Sequence, residues 1–335
     1  MPRDRSLSLR YRRIHLTGCP PPFEGAAVAY APRRMVLDKL LVDAAVEAGA
    51  ELREGFTVEG LTTSGDTVTG IRGTIGHRRD MTEEAQIVIG ADGPNSIVAR
   101  HVEAPEYKAM APLMRTHFSY WSGVKIEGAE FYPCDYRLVY GWSTNDALVL
   151  VGANWALSRF PKLPHALEES FFEVVDEAAP NLAARLRAGK REERWYGAAI
   201  DGFFRKPFGE GWALVGDAGY KKDPCTAAGI TDAFRDTELL AEGIDEGFAG
   251  ERPLAQAMAD YERRRNAIAM PIYQFTCQSA KFEPPTAEMR QLLYALRGNQ
   301  RDTDRFFGLI AQTTSIPQFL SPENVSGIIA GTAKG

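Results

Sequence analysis

The chain has 335 residues, with 44% apolar and 25% charged side chains, enough for a sizeable core and more than one domain. Its formal charge of −5, with no long basic run, argues against nucleic acid as a main partner. No apolar run reaches the roughly 18 residues that a membrane-spanning helix requires.

The N-terminus, MPRDRSLSLRYRRIHL, is basic but lacks the apolar centre of a signal peptide, so the cytoplasm is the expected compartment. Cys19, Cys134, Cys225 and Cys277 are far apart and read as reduced thiols. Five scattered histidines form no ligand spacing, and no metal site is expected.

Residues 1–30 carry short apolar runs broken by the turn-rich GCPPPFEG. Met35, Leu37, Leu40, Leu41, Ala44, Ala45 and Ala48 then recur at helical spacing, with Gly49 where a C-cap belongs. GFTVEGLTTSGDTVTGIRGTI alternates as a hairpin about a Ser-Gly-Asp turn. AQIVIGADG reads as a short strand that releases Asp92, and PNSIVARHV as a helix with Pro94 near its first turn. Three aromatic, β-branched stretches predict strands over about 110–155, one or two helices follow over 163–188, and REERWYGAAIDGFF returns to strand. ALVGDAGYKKDPCTAAGI is a second strand ending in an acid, Asp217, before a helix from about Ala227. Residues 252–333 read as helices, the first kinked or interrupted at Pro271. The fold class is therefore α/β (α+β), in three parts: 1–104 with 192–250, a β-rich 105–191, and a helical 251–335.

Two places thus share one design, an apolar strand whose C-terminal end releases an acid and a glycine. In α/β sheets ligands gather at such strand ends, where helix N-termini present unpaired N–H groups and a positive dipole end. An aspartate there accepts from ligand hydroxyls, and glycine lets the backbone approach. The plainer reading of either corner alone is a helix cap or turn, at even odds with a ligand site.

Ala91-Asp92-Gly93-Pro94-Asn95-Ser96 running to Arg100, together with Gly216-Asp217-Ala218 running through Pro224, Gly229 and Asp236, resembles the paired motifs of FAD-dependent monooxygenases of the para-hydroxybenzoate hydroxylase type. Arg33-Arg34 and Leu37-Asp38-Lys39-Leu40 are similar to the segment before the first motif. The paired motifs are shared with flavin halogenases and geranylgeranyl-reductase-like enzymes. The resemblance implies an FAD-binding Rossmann-like domain, an inserted antiparallel substrate sheet and a helical C-terminal region. It also implies that Asp217 holds the ribityl hydroxyls, that Pro224 lies near the flavin ring, and that Ala228, Gly229, Ile230 and Thr231 face its pyrimidine edge. By the same resemblance Arg34, Asp92, Gly93 and Gly216 serve the cofactor. NAD(P)H would reduce FAD, O₂ would react at the flavin C4a, and one oxygen would pass to an apolar or aromatic small molecule.

Departures from the family are Tyr220 for its histidine, Ala227 for a glycine and Thr231 for an asparagine. Tyr220 is the catalytic candidate by position, with a structural hydroxyl as the plainer role. The tryptophan signature of flavin halogenases is absent, which lowers halogenation in rank. Phe118, Tyr120, Trp121, Phe131, Tyr132, Tyr140 and Trp142 are candidates for a substrate wall, against ordinary sheet packing. No GxGxxG βαβ unit stands at the front, so the expectation is a chain truncated at its start, with a natural remnant as the alternative; without that unit it is expected to bind FAD weakly. An oxygen-independent reductase and a non-catalytic remnant stand as alternatives. The C-terminal helices either pack on the flavin domain or form a homodimer contact.

Overall fold

The computed structural model describes residues 6–76 and 78–332. The chain divides into two compact units: Met1–Leu41, Pro112–Ile200 and Gln274–Gly335 form one, and Val42–Ala111 with Asp201–Tyr273 the other. This division differs from the three-part reading. The last helices join the β-rich region in one unit, and so do the first residues, which form a hairpin of Leu7–Tyr11 and Ile14–Gly18.

The first unit is built on an eight-stranded sheet. Its order is Lys190–Arg191, Met114–Ser122, Val149–Ala156, Arg137–Ser143, Ala129–Cys134, Leu7–Tyr11 and Ile14–Gly18, with Tyr196–Ala198 also pairing on Met114–Ser122. All pairs are antiparallel except Leu7–Tyr11 with Ala129–Cys134. Alternation divides the sheet's residues between its faces. Trp121, Tyr132, Val139, Val149, Val151 and Trp155 pack with Phe171, Val174, Leu182 and Leu186 of the helices Leu167–Ala178 and Pro180–Ala188. At the hairpin, Tyr11, Ile14 and Leu16 pack with Leu292, Leu296, Phe307 and Phe319 of the C-terminal helices. Gly18 has to be small, because a Cβ there would stand 2.7 Å from Asp304 Oδ1 and 2.9 Å from the Phe307 ring.

The second unit holds three small sheets. One is the antiparallel meander Phe56–Ser64, Thr67–Ile75 and Arg78–Glu84, whose first hairpin turns at Gly65 with φ +61°. Another joins Tyr220–Lys221, Gly202–Arg205 and Glu106–Met110. The third joins Phe208–Gly209, Trp212–Leu214 and Val88–Gly90, the last two in parallel. The Trp212–Val215 run is apolar throughout because both of its sides are covered. Trp212 and Leu214 pack with Val68, Val88 and Val98, while Ala213 and Val215 pack with Leu239, Leu240, Met258 and Tyr261.

Several helices form where periodicity places them. Arg34–Glu47 ends on Gly49 at φ +102°, with Gly49 N–H bonded to Val46 O (2.9 Å) and Ala50 N–H to Ala45 O (2.9 Å). The helix Ile97–His101 starts later than Pro94 suggests, with Ser96 as its N-cap. Leu254–Ser279 runs through Pro271 as one helix, so of the two expectations, a kink or an interruption, the interruption is corrected. Proline removes one N–H of the ladder, and the rest of a 26-residue helix carries the remaining hydrogen bonds on both sides of it. Among the described residues, no helix is long and apolar enough to cross a membrane.

Candidate functional site

The two acid-glycine corners leave one sheet side by side. In the parallel pair, Trp212 lies opposite Val88, Ala213 opposite Ile89 and Leu214 opposite Gly90. Val215 N–H extends the ladder to Gly90 O at 3.0 Å. Asp92 and Asp217 therefore follow adjacent strand ends, and neighbouring strands lie about 4.8 Å apart. Gly93 (φ +76°) and Gly216 (φ +58°) take left-handed conformations that free the chain to turn away from the sheet.

Arg205 straps the corners together. Its Nη1 donates to Pro94 O (3.2 Å) behind the first corner and to Ala218 O (3.0 Å) behind the second, while Nη2 pairs with Glu106 (2.7 Å). Arg265, almost fully buried, donates to Gly219 O (3.3 Å), Arg205 O (3.1 Å) and the Tyr107 hydroxyl (3.0 Å), supporting the strap from beneath. Sequence reasoning overlooks both arginines, since Glu106 is 99 residues from Arg205 and Tyr107 is 158 from Arg265.

Beyond the first corner, Asp92 Oδ2 accepts from Ile97 N–H (2.6 Å) and the buried Ser96 Oγ from Ala99 N–H (3.0 Å). Beyond the second, Asp223 Oδ1 accepts from Cys225 N–H (3.1 Å) and caps the 3-10 turn Pro224–Thr226. Ala227 then adopts φ +52°, and the 20-residue helix Gly229–Phe248 begins after Ala228, which has no side chain to cap it. Asp217, Pro224, Gly229 and Ile230 are exposed and Ala228 is buried. A side chain at Gly229 would meet nothing within 4 Å, so its surface is uncrowded.

A buried charge cluster lies under that helix start. Lys222 pairs with Asp232 in the first turn, and Arg235 bonds Asp232 (2.8 Å) and Asp236 (2.6 Å). Burial first, then Arg235, pushes the Lys222 ammonium down to about 8, against the opposite pull of Asp236 and Asp217. Burial likewise raises the Asp236 carboxyl, against Arg235.

Tyr220 is buried, with its ring 4.5 Å from Phe204 and 6.2 Å from Tyr273, in the surroundings of a core residue. Arg34 belongs to the other unit, where it grips Asp38 through Nε (2.7 Å) and Nη2 (3.1 Å).

The seven aromatic candidates separate. Trp121 and Tyr132 belong to the helix-covered face of the large sheet. Phe118, Tyr120, Phe131, Tyr140 and Trp142 cluster on the other, with Leu138, Leu150 and Phe282. Gly152 keeps this second face flat, since a Cβ there would lie 2.4 Å from the Tyr140 ring and 2.8 Å from Phe118 Cβ. Tyr140 bonds Thr116 Oγ1 (2.8 Å), and burial raises its hydroxyl to about 12.

Two acid-bearing turns at parallel strand ends, one leading into a helix without a side-chain cap, are the arrangement at which α/β proteins hold ligands. The open backbone at Gly93 and Gly229 and the helix start that Ala228 leaves without a side-chain cap fit the polar rim and hydroxylated chain of a flavin nucleotide. Residues 10–140 match the model of the FAD binding domain family. The digeranylgeranylglycerophospholipid reductase of Methanosarcina acetivorans is 29% identical over 253 residues, covering 72% of this chain and 59% of the reductase. The chain thus spans about 59% of the length of that curated relative. Among solved structures, the flavin-dependent brominase Bmp2 superposes with TM-score 0.77 at 17% identity, covering 99% of this chain and 83% of the brominase. PqsL, a probable FAD-dependent monooxygenase of Pseudomonas aeruginosa, does so with TM-score 0.64 at 18% identity, covering 92% and 82%. The chain thus shares the fold of these flavoenzymes, and its residues 10–140 are similar to an FAD binding domain.

Proposed function

We propose that the chain works in an FAD-dependent oxidoreductase, an NAD(P)H-dependent monooxygenase that inserts one oxygen of O₂ into an apolar or aromatic small molecule. The observation that carries the flavin part is the side-by-side exit of the Asp92 and Asp217 corners from one parallel strand pair. In this reading Asp217 accepts hydrogen bonds from the ribityl hydroxyls, and the N–H groups after Ala228 stabilise negative charge on the ring. Gly93, Gly216 and Gly229 let the backbone approach, Pro224 and Ile230 border the ring, and Asp92 shapes the neighbouring corner. Bound FAD supplies the electron transfer and oxygen chemistry; the protein positions substrate and excludes water. The aromatic face of Phe118, Tyr120, Phe131, Tyr140 and Trp142 supports an apolar substrate. The packing of Tyr220 against Phe204 supports a structural role for it over a catalytic one.

A second reading is a reductase that saturates an alkene without oxygen chemistry, supported by the reductase relatives at 25–29% identity. Oxygen uptake separates the two. Substrate-dependent NAD(P)H oxidation that consumes O₂ supports the monooxygenase, and the same oxidation under anaerobic conditions with a saturated product supports the reductase. Purified protein that releases no FAD on denaturation, and takes up none when it is added, would sink both.

A further inference from the structure

We propose that Lys222 is a positioning residue of the flavin cradle whose ammonium, seated on Asp232 under the N-terminus of the Gly229–Phe248 helix, favours reduced, negatively charged flavin over oxidised flavin. This rests on the FAD reading above.

Lysine is among the side chains least often fully buried, yet that of Lys222 is only 4% exposed and its partner Asp232 5%. Stability alone explains the arrangement poorly. A buried ion pair commonly does no better than apolar side chains of the same volume, and Asp232 already has Arg235. The groups facing Lys222 come from four elements. The Gly229–Phe248 helix contributes Asp232, Arg235 and Asp236, the Gly216–Ala218 turn contributes Asp217, and the Pro224–Thr226 turn contributes Cys225. On its own segment the Tyr220 ring lies 5.0 Å from Nζ, and from the Leu254–Ser279 helix Arg265 acts on Asp236.

Burial and the neighbouring Arg235 guanidinium hold the Lys222 proton at a cost, against the pull of Asp236 and Asp217. Asp236 Oδ2 has no hydrogen-bond partner among the described residues, and the cluster is not closed upon itself. A negative charge in front of the helix start would offset the positive end of its dipole and tighten the proton on Lys222. By linkage, the proton tightens the anion equally. Flavin that has taken up two electrons and one proton is such an anion, and oxidised flavin, with a neutral ring, is not. A lysine that merely braced the loop would support both forms alike.

The test uses the whole chain with added FAD. Quenching of flavin fluorescence gives affinity for the oxidised form, and the midpoint potential of bound flavin, from equilibrium with a redox dye, gives the ratio of affinities. In Lys222→Met the preference for reduced flavin falls by about tenfold at pH 7, while Lys222→Arg retains it within about threefold. In the wild type the preference declines as pH passes about 8, and in Lys222→Arg it is flat there. Equal losses of both affinities in Lys222→Met, or an arginine variant that behaves like methionine, would overturn the role of Lys222 while leaving the flavin reading intact. Should Lys222→Met fail to fold, the contrast between the wild-type and arginine pH profiles decides. Wild-type protein that binds no FAD in either state removes the flavin reading and this role with it.

Discussion

The Asp92 and Asp217 corners start alike and end differently. Each follows a short apolar strand, each is succeeded by a glycine or alanine and then a helix, and both aspartates are exposed. After Asp92 the helix is five residues long, and its first N–H groups are taken by Asp92 itself and by Ser96. After Asp217 the helix is 20 residues long, and Ala228 leaves its start without a side-chain cap. A cap satisfies a helix internally; a bare start leaves donors and dipole for something else. Identical local grammar thus closes the helix start at one corner and leaves it without a side-chain cap at the other, and the residue at the cap position distinguishes them.

The contrast is sharpened most by removing each acid. Asp217→Ala should weaken FAD binding by about 10- to 100-fold with little change in the urea unfolding midpoint, because it removes charged hydrogen bonds made to ligand. Asp92→Ala should do the reverse, costing about 1 kcal/mol of stability as a lost cap and changing FAD affinity by less than about threefold. Equal affinity losses at both corners would break the comparison. Next in size is the strap: Arg205→Met should cost about 2 kcal/mol in urea unfolding, and Arg205→Lys should not restore it, since an ammonium lacks the planar fork that reaches two carbonyls and a carboxylate.

A smaller effect comes from pH. The Lys222 value of about 8 lies below its ordinary 10.5, so between these the unfolded chain holds the proton and the folded chain does not. Stability therefore rises with pH through that window and falls as pH drops through 8, by about 1 kcal/mol between pH 9 and pH 7. The difference between wild type and Lys222→Met, measured by urea unfolding at each pH, isolates this contribution; an unchanging difference would contradict it. Smallest is Ala228→Ser, which installs the missing cap. The gain should be only about 0.5 kcal/mol, because Ala228 sits at φ −99°, ψ 0° rather than in the extended geometry a cap prefers, with a loss of FAD affinity of about threefold.

Local features were legible in the sequence where a local cause decides them. Gly49 ends its helix because it alone there takes φ +102° without strain, and Ser-Gly-Asp turns the Phe56–Ile75 hairpin. The strand-acid-glycine order foretold that both corners lie at strand ends, though not that the strands pair with each other. The aromatic residues of the large sheet were recognisable as strand formers, but which face each occupies depends on register across four strands and on the helices that cover one side. Lys222 and Arg205 were opaque for a related reason. A lysine in GYKKDP is indistinguishable from a solvated one until Asp232 and the helix fold over it, and the acceptors of Arg205 come from segments 13 to 111 residues away. The continuity of helix through Pro271 reflects neighbours that override an intrinsic preference.

The four residues Trp212 to Val215, enclosed above and below, leave evolution no free side on which to work. On this corner, variation is open only past position 215, in the exposed turn and helix start, while the strand itself admits only swaps of matching bulk. Libraries aimed at new chemistry would do well to spare the one and diversify the other.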